Sequence, residues 1–134
     1  MSDQTEEQML SLLKNIAQNP DISSHDLEFL LDCRAKNKIH FTLVDIREVY
    51  EYSSFCIKGT DLLLPTSNLH IHMDQLLKLK ESFIIFYCLS GGRTSQVLHI
   101  LRRMGFSKIA HLSRGIIDFS GEKLKNAPLP KNIK

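Results

Sequence analysis

Long apolar runs, paired cysteines and a strong charge of either sign are all missing from this chain. No stretch is long and apolar enough to suggest a membrane span. The opening residues Met1-Ser-Asp-Gln-Thr-Glu-Glu7 are acidic where a secretory signal is basic. The sequence therefore predicts a cytoplasmic protein with no membrane association. Cys33, Cys56 and Cys88 are widely spaced, odd in number and include no Cys-x-x-Cys pair. That excludes a disulfide framework, gives no zinc pattern, and fits free thiols in a reducing compartment. A formal net charge of +2 is too small to argue for a nucleic-acid partner, yet it does not repel a small anion. There is no internal repeat and no low-complexity block. What is present, 134 residues of which 43% are hydrophobic and 24% charged, suits one soluble domain around one core.

Helical and strand patterns alternate along the chain. Met9, Leu12, Leu13 and Ile16 recur at helical spacing over 5–18, with a Thr5–Gln8 capping box and an Asn19-Pro20 stop. A second helix is expected over about 24–35, a short buried strand over 41–45, a brief helical turn over 47–52 and a strand over 61–65 ended by Pro65. A helix over 68–80 would turn Met73, Leu76 and Leu77 inward. Strand 83–87 follows, then a helix over about 93–104 with Val97, Ile100, Leu101 and Met104 on its apolar face and Gly105 as C-cap. A strand over 109–112 and a final helix over roughly 115–124 complete the pattern. Short apolar strands alternating with amphipathic helices predict an α/β fold, a mainly parallel sheet covered on both faces.

The segment Phe83-Ile-Ile-Phe-Tyr-Cys-Leu-Ser-Gly-Gly-Arg93 carries the chemistry. Its apolar strand stops at Cys88, a short loop with two glycines follows, and a helix opens at Arg93-Thr94. A residue between a strand's carboxyl end and a helix sits where ligands bind in open α/β sheets. Converging loop amides and the helix N-terminus both favour thiolate over thiol, and the thiolate is the nucleophile. Cys88 is the candidate catalytic residue. Three chemistries use such a cysteine. A phosphatase needs a cradle wide enough for phosphate and an arginine on its oxygens; a sulfur carrier needs a narrower one; a redox enzyme needs a second cysteine in reach. Leu89 to Gly92, four residues between Cys88 and Arg93, make a tight ring whose glycines let amides point inward.

Cys88-Leu-Ser-Gly-Gly-Arg-Thr94 resembles the active-site loop of single-domain rhodaneses, sulfurtransferases that carry a persulfide on cysteine. The resemblance extends over about residues 22–122. Leu43-Val-Asp-Ile-Arg-Glu48 with Glu51-Tyr52 is similar to the family's Asp-x-Arg-Glu…Glu-Tyr segment, Ile57-Lys-Gly-Thr60 to its Ile-x-Gly-Ala turn, and Gly115-Ile-Ile-Asp-Phe119 to its Gly-Gly-x-x-x-Trp. Relatives with phosphatase or arsenate reductase activity carry a loop one residue longer. The resemblance implies a single rhodanese-like domain over 21–124; the residue pattern adds an N-terminal helical extension over 1–20 and a flexible tail over 125–134, with Pro128, Pro130 and several lysines. It implies that Cys88 takes sulfur from thiosulfate or a persulfide donor and passes it to cyanide, a thiol or a protein acceptor, with no metal or organic cofactor. Leu89, Ser90, Gly91, Gly92, Arg93 and Thr94 would bind the substrate. The loop amides would stabilise the persulfide anion, Arg93 would hold a sulfonate or sulfite oxygen, and the Ser90 and Thr94 hydroxyls would add hydrogen bonds. Cys56 stands where many relatives have histidine, Phe119 replaces the tryptophan, Arg114 the first glycine of the pair, and Thr60 the alanine.

Each residue has a plainer reading as well. Asp45 and Arg47 read first as a structural pair tying a strand end to neighbouring loops, and as substrate-supporting residues second. Cys56 reads as a small gap-filler before a resolving thiol, and Cys33 as packing. His70 and His72 point apart on a helix and make no metal site; His99 and His111 read as surface or satisfied core residues. The apolar stripe of the N-terminal helix must be covered, by its own domain or by a partner or second copy, so the chain is expected as a monomer or a homodimer through that helix. Two other functions stand beside sulfur transfer: a non-catalytic rhodanese-like interaction module, and a cysteine phosphatase or arsenate reductase.

Overall fold

Two largely buried strands lie side by side at the centre of the sheet. They are β2 (Thr42–Asp45) and β5 (Ile84–Tyr87), paired in parallel with Asp45 opposite Tyr87. Both faces of β5 are buried, which explains its unbroken run of large apolar residues. In this computed structural model, which describes residues 3–133, the remaining strands are β1 (Asp21–Ile22), β3 (Cys56–Ile57), β4 (Leu62–Leu63), β6 (Ile109–Leu112) and β7 (Lys123–Leu124). Met1 and Ser2 of the predicted extension, and Lys134 of the predicted tail, lie outside the described residues.

The main sheet has the order β1-β6-β5-β2-β4, and its four pairings are all parallel. Side chains alternate across it. Leu43, Ile85, Tyr87, Ala110 and Leu112 face a cluster with α1 (Asp3–Gln18) and α2 (Ser24–Ala35), through Ile16, Leu27 and Leu30. Val44, Ile84, Phe86, Cys88 and Ile109 face the other cluster, with α4 (Met73–Leu77) and α5 (Gly92–Arg103), through Leu76, Val97, Leu98 and Leu101. This is an α/β fold with helices on both faces of a parallel sheet. The N-terminal helix is present, and Met9 and Ile16 are buried on the chain's own body. Among the described residues, no helix is long and apolar enough to cross a membrane.

Some elements differ from the sequence expectation. The final helix over 115–124 does not form. It is replaced by a 3-10 turn, Ile116–Asp118, and by β7, which pairs antiparallel with β3. The helix does not continue because the chain turns extended at Phe119 (φ −77, ψ 124) and the backbone of 122–124 is taken by Lys58 and β3. The Ile116 and Ile117 amides tie the turn to the carbonyls of Cys88 and Leu89, at 2.9 and 3.1 Å. The helix over 68–80 is a 3-10 segment, Thr66–His72, broken at Asn68 and followed by the short α4. Leu76 is buried there, whereas Leu77 is exposed. On α5, Val97 and Leu101 are buried while Ile100 faces outward. The last described residues return to the body: Asn132 donates to the Leu63 carbonyl at 2.7 Å, and Ile133 packs against the cluster of Tyr52, Cys56 and Leu63.

Candidate active site

Cys88 follows β5 directly and is almost wholly buried. Its orientation comes from the pleat: as the next residue after Tyr87 it points to the α5 side of the sheet. The Gly91 amide donates to its Sγ at 3.2 Å, and the Thr94 hydroxyl oxygen stands 3.6 Å away. Burial pushes the thiol pKa up. Hydrogen bonds from the backbone and hydroxyl of Thr94 and from the Gly91 and Arg93 amides outweigh burial and hold the pKa below the ordinary thiol value.

The loop keeps its shape because two glycines admit close backbone contact. Gly91 has φ +103, and a Cβ there would run into the Ser113 carbonyl. Gly115 has φ +74, and a Cβ there would strike the Leu89 carbonyl. The turn after β6 (112–115) is thus pressed against the cysteine loop, and the Ile116 and Ile117 amides bond it there. Gly92, the first residue of α5, has open space where a Cβ would be. Of the two loop glycines, only Gly91 is required by the backbone. Leu89 and Ser90 are exposed at the loop's outer edge.

Arg93 is engaged. Its two terminal nitrogens donate to both oxygens of Glu51 on α3 (Val49–Ser54), at 2.8 and 2.9 Å. The bond from Arg93 holds the Glu51 carboxyl below its ordinary range, and the guanidinium pKa is raised in return. Asp45 and Arg47 are sealed inside, bonded Nε to Oδ1 at 3.0 Å and Nη2 to Oδ2 at 2.9 Å. Arg47 also donates to the Phe55 carbonyl at 2.7 Å. Desolvation pushes the Asp45 carboxyl up, against the pull of Arg47. Asp45 lies opposite Tyr87 in the register, and the Arg47 guanidinium stacks over the Tyr87 ring, so the pair lies on the sheet face away from Cys88. The Tyr87 hydroxyl is anchored by Thr60 at 2.7 Å and accepts from the Ile57 amide at 3.2 Å, fixing the strand end before the cysteine. Cys56 packs with Tyr52 and Leu63, in a different cluster from Cys88.

Thr94 is fully buried, and its hydroxyl lies 2.6 Å from His111 Nδ1. His111 Nε2 lies 2.8 Å from Asp21 Oδ1. Glu51, His111 and Asp21 are the residues that sequence reasoning gives no role at this site. Glu51 sits inside a recognisable segment, and His111 shares the pleat side of Cys88, but a two-residue edge strand leaves no periodic signal for Asp21.

The sequence matches the profile of the rhodanese-like domain over residues 11–122. The chain belongs to the rhodanese-like domain family. This rhodanese-like domain is 28% identical over 80 residues to "Putative sulfur carrier protein YrkF" of Bacillus subtilis (strain 168), a stretch covering 60% of the chain. It spans 42% of that relative's length. Among solved structures it resembles the rhodanese-like domain of the Alr3790 protein from Anabaena sp, with a TM-score of 0.63, 23% identity and 80% of each chain covered. It also resembles the BH2092 protein of Bacillus halodurans, with a TM-score of 0.63, 22% identity, and 96% and 94% of the two chains covered. A third neighbour is a thiosulfate sulfurtransferase from Pseudomonas aeruginosa, with a TM-score of 0.68 and 20% identity, over 89% of this chain and 22% of that one. At these identities the structural likeness is one of fold.

Proposed function

We propose that this rhodanese-like domain is a sulfurtransferase that carries sulfane sulfur as a persulfide on Cys88. The observation that carries the reading is the cysteine itself, held at the strand end with its sulfur accepting the Gly91 amide in a loop closed by the 112–115 turn. In the first step the Cys88 thiolate attacks the outer sulfur of thiosulfate. A sulfur–sulfur bond forms to Cys88, the donor's own sulfur–sulfur bond breaks, and sulfite leaves with the electron pair. In the second step an acceptor such as cyanide attacks the terminal sulfur, and the Cys88 thiolate is released with its electron pair. A persulfide donor and a thiol or protein acceptor follow the same bond changes. The negative charge resides on sulfur throughout, where the loop amides stabilise it. No step needs a metal or organic cofactor.

The Arg93–Glu51 pair bears on the alternatives. A phosphatase uses a loop arginine to hold phosphate oxygens, and here that guanidinium spends its terminal nitrogens on a carboxylate. Sulfonate oxygens are instead met by the backbone of Leu89 to Gly92, the Ser90 hydroxyl and what donor capacity Arg93 retains. The test is a parallel assay of the wild-type protein and Cys88→Ser for thiosulfate-to-cyanide transfer and for aryl phosphate turnover. Sulfur transfer lost in the serine variant is the expected result. Cysteine-dependent phosphate turnover with no sulfur transfer would move the protein to the phosphatase class, and neither activity would leave an interaction module.

A further inference from the structure

Four polar or charged side chains are buried among the described residues: Asp45, Arg47, Thr94 and His111. The first two satisfy one another. The other two stand in line with the cysteine, as Cys88 Sγ to Thr94 Oγ1 at 3.6 Å, Thr94 Oγ1 to His111 Nδ1 at 2.6 Å, and His111 Nε2 to Asp21 Oδ1 at 2.8 Å. The line runs from α5 through β6 to the edge strand β1, and ends at a carboxylate that is half exposed.

The proton positions along this line follow from its ends. An ionised Asp21 only accepts, so the imidazole presents Nε2–H to it and Nδ1 is free to accept. The Thr94 hydroxyl, with one proton to give, also has the Gly91 carbonyl at 3.1 Å, but its shortest contact is His111. With Thr94 donating to His111, its oxygen lone pairs are left for the Cys88 S–H. We propose that His111 takes the proton of the Cys88 thiol through the Thr94 hydroxyl, with Asp21 holding the imidazole in the accepting orientation. The S–H bond breaks and its electron pair stays on sulfur. The proton bonds Thr94 Oγ1, and the hydroxyl's own proton passes to His111 Nδ1. The two hydrogen bonds between Cys88 and His111 then reverse, with imidazolium Nδ1–H donating to Thr94 and Thr94 donating to the thiolate, while Nε2–H still donates to Asp21. No oxidant or co-reactant is needed. In the reverse direction, the same line returns a proton to Cys88 when a thiol acceptor takes the sulfur and must lose its own.

The surroundings suit this role. On the His111 side of the sheet, α5 contributes Thr94 and the apolar Val97, Leu98 and Leu101. The charged and titratable groups of α5 are either exposed (His99, Arg102, Arg103) or paired, as Arg93 is with Glu51 of α3. β5 presents Phe86 opposite His111, and β1 presents Asp21. Asp21 is therefore the counter-ion hydrogen-bonded to the imidazole. His111 and Asp21 act through Thr94, and neither touches the sulfur.

This inference rests on Cys88 being the nucleophile, and its test does not depend on sulfur transfer. The full chain is alkylated with iodoacetamide across a pH series, with the product mapped to the Cys88 peptide. In His111→Asn, the midpoint should move up by about one pH unit, with an about tenfold slower reaction near neutrality. Asp21→Asn, at the exposed sheet edge, should move it in the same direction by about threefold in rate. Because His111→Asn could fail to fold, the His111 imidazole is also titrated by nitrogen-resolved NMR in wild type and in Cys88→Ser. A higher imidazole pKa in the wild type supports the relay. Superposable titrations, or an unchanged alkylation profile in both folded variants, would overturn it. Coupled titration without sulfur loading would remove the sulfurtransferase reading and leave the relay standing.

Discussion

Arg93, the residue that closes the cysteine loop, is bonded through both terminal nitrogens to both oxygens of Glu51, a residue of another helix. A charge offered to the substrate by the loop is thereby answered within the protein. Glu51 also accepts from the Glu48 amide at 3.0 Å, so one carboxylate caps α3 and restrains the loop arginine.

Glu51→Gln tests what that pairing does to donor choice. Glutamine keeps an acceptor for the Glu48 amide and removes the negative charge. The KM for thiosulfate should fall about fivefold, the order expected from about 1 kcal/mol of relieved charge, with kcat little changed. Steady-state kinetics decide it, and an unchanged or higher KM would mean that Arg93 takes no part in anion binding. Stability has a sign as well. The folded Glu51 pKa lies below its unfolded value, so its contribution is complete above the unfolded value. It is lost as pH falls through the folded one, and Glu51→Gln should flatten that acid limb.

The two loop glycines should behave differently. Gly91→Ala forces a left-handed residue against the Ser113 carbonyl and should cost about 2 kcal/mol or more, with most sulfur uptake lost. Gly92→Ala places a methyl in open space at the first turn of α5 and should be neutral or stabilising by up to about 1 kcal/mol. Thermal unfolding beside sulfur loading separates the two. Equal damage from both would contradict the conformational reading.

This contrast marks where the sequence is readable. The strands over 42–45, 84–87 and 109–112 show as apolar runs because both sheet faces are covered, and the residues around Cys88 share one contiguous loop. The glycine pair reads as one flexible unit, yet its demand comes from Ser113, which only the folded turn brings close. Glu51, His111 and Asp21 arrive from three separate elements, and nothing in their local spacing points to Cys88. The helix expected over 115–124 fails for the same kind of reason, since the backbone of its second half pairs with Lys58 and β3, which only the folded chain brings close.

Arg47→Met should act on stability rather than on chemistry. It leaves Asp45 buried without its partner, a change that costs about 3–5 kcal/mol in comparable pairs. Asp45 should then be driven further toward its neutral form, since burial already pushes its pKa up. The folded fraction should keep its thiosulfate KM, because the pair lies on the face away from Cys88. A raised KM with unchanged thermal stability would place the pair in substrate binding.

The rate of sulfur loading should rise with pH and level off below the ordinary thiol range. The thiolate is the reacting form, and the loop hydrogen bonds hold its pKa down against burial. Thr94→Val removes the hydroxyl donor and should shift the rise upward, measured as initial loading rates across a pH series. A rise centred at the free-thiol value in the wild type would show that the loop does not favour the anion.

The most direct test of Cys88 as a sulfur carrier is the intact mass of the reduced protein before and after thiosulfate, followed by peptide mapping. A gain of one sulfur atom on the Cys88 peptide is expected, lost on adding cyanide and absent in Cys88→Ser. No gain with thiosulfate or a persulfide donor, with the Cys88 thiol still open to alkylation, would contradict it.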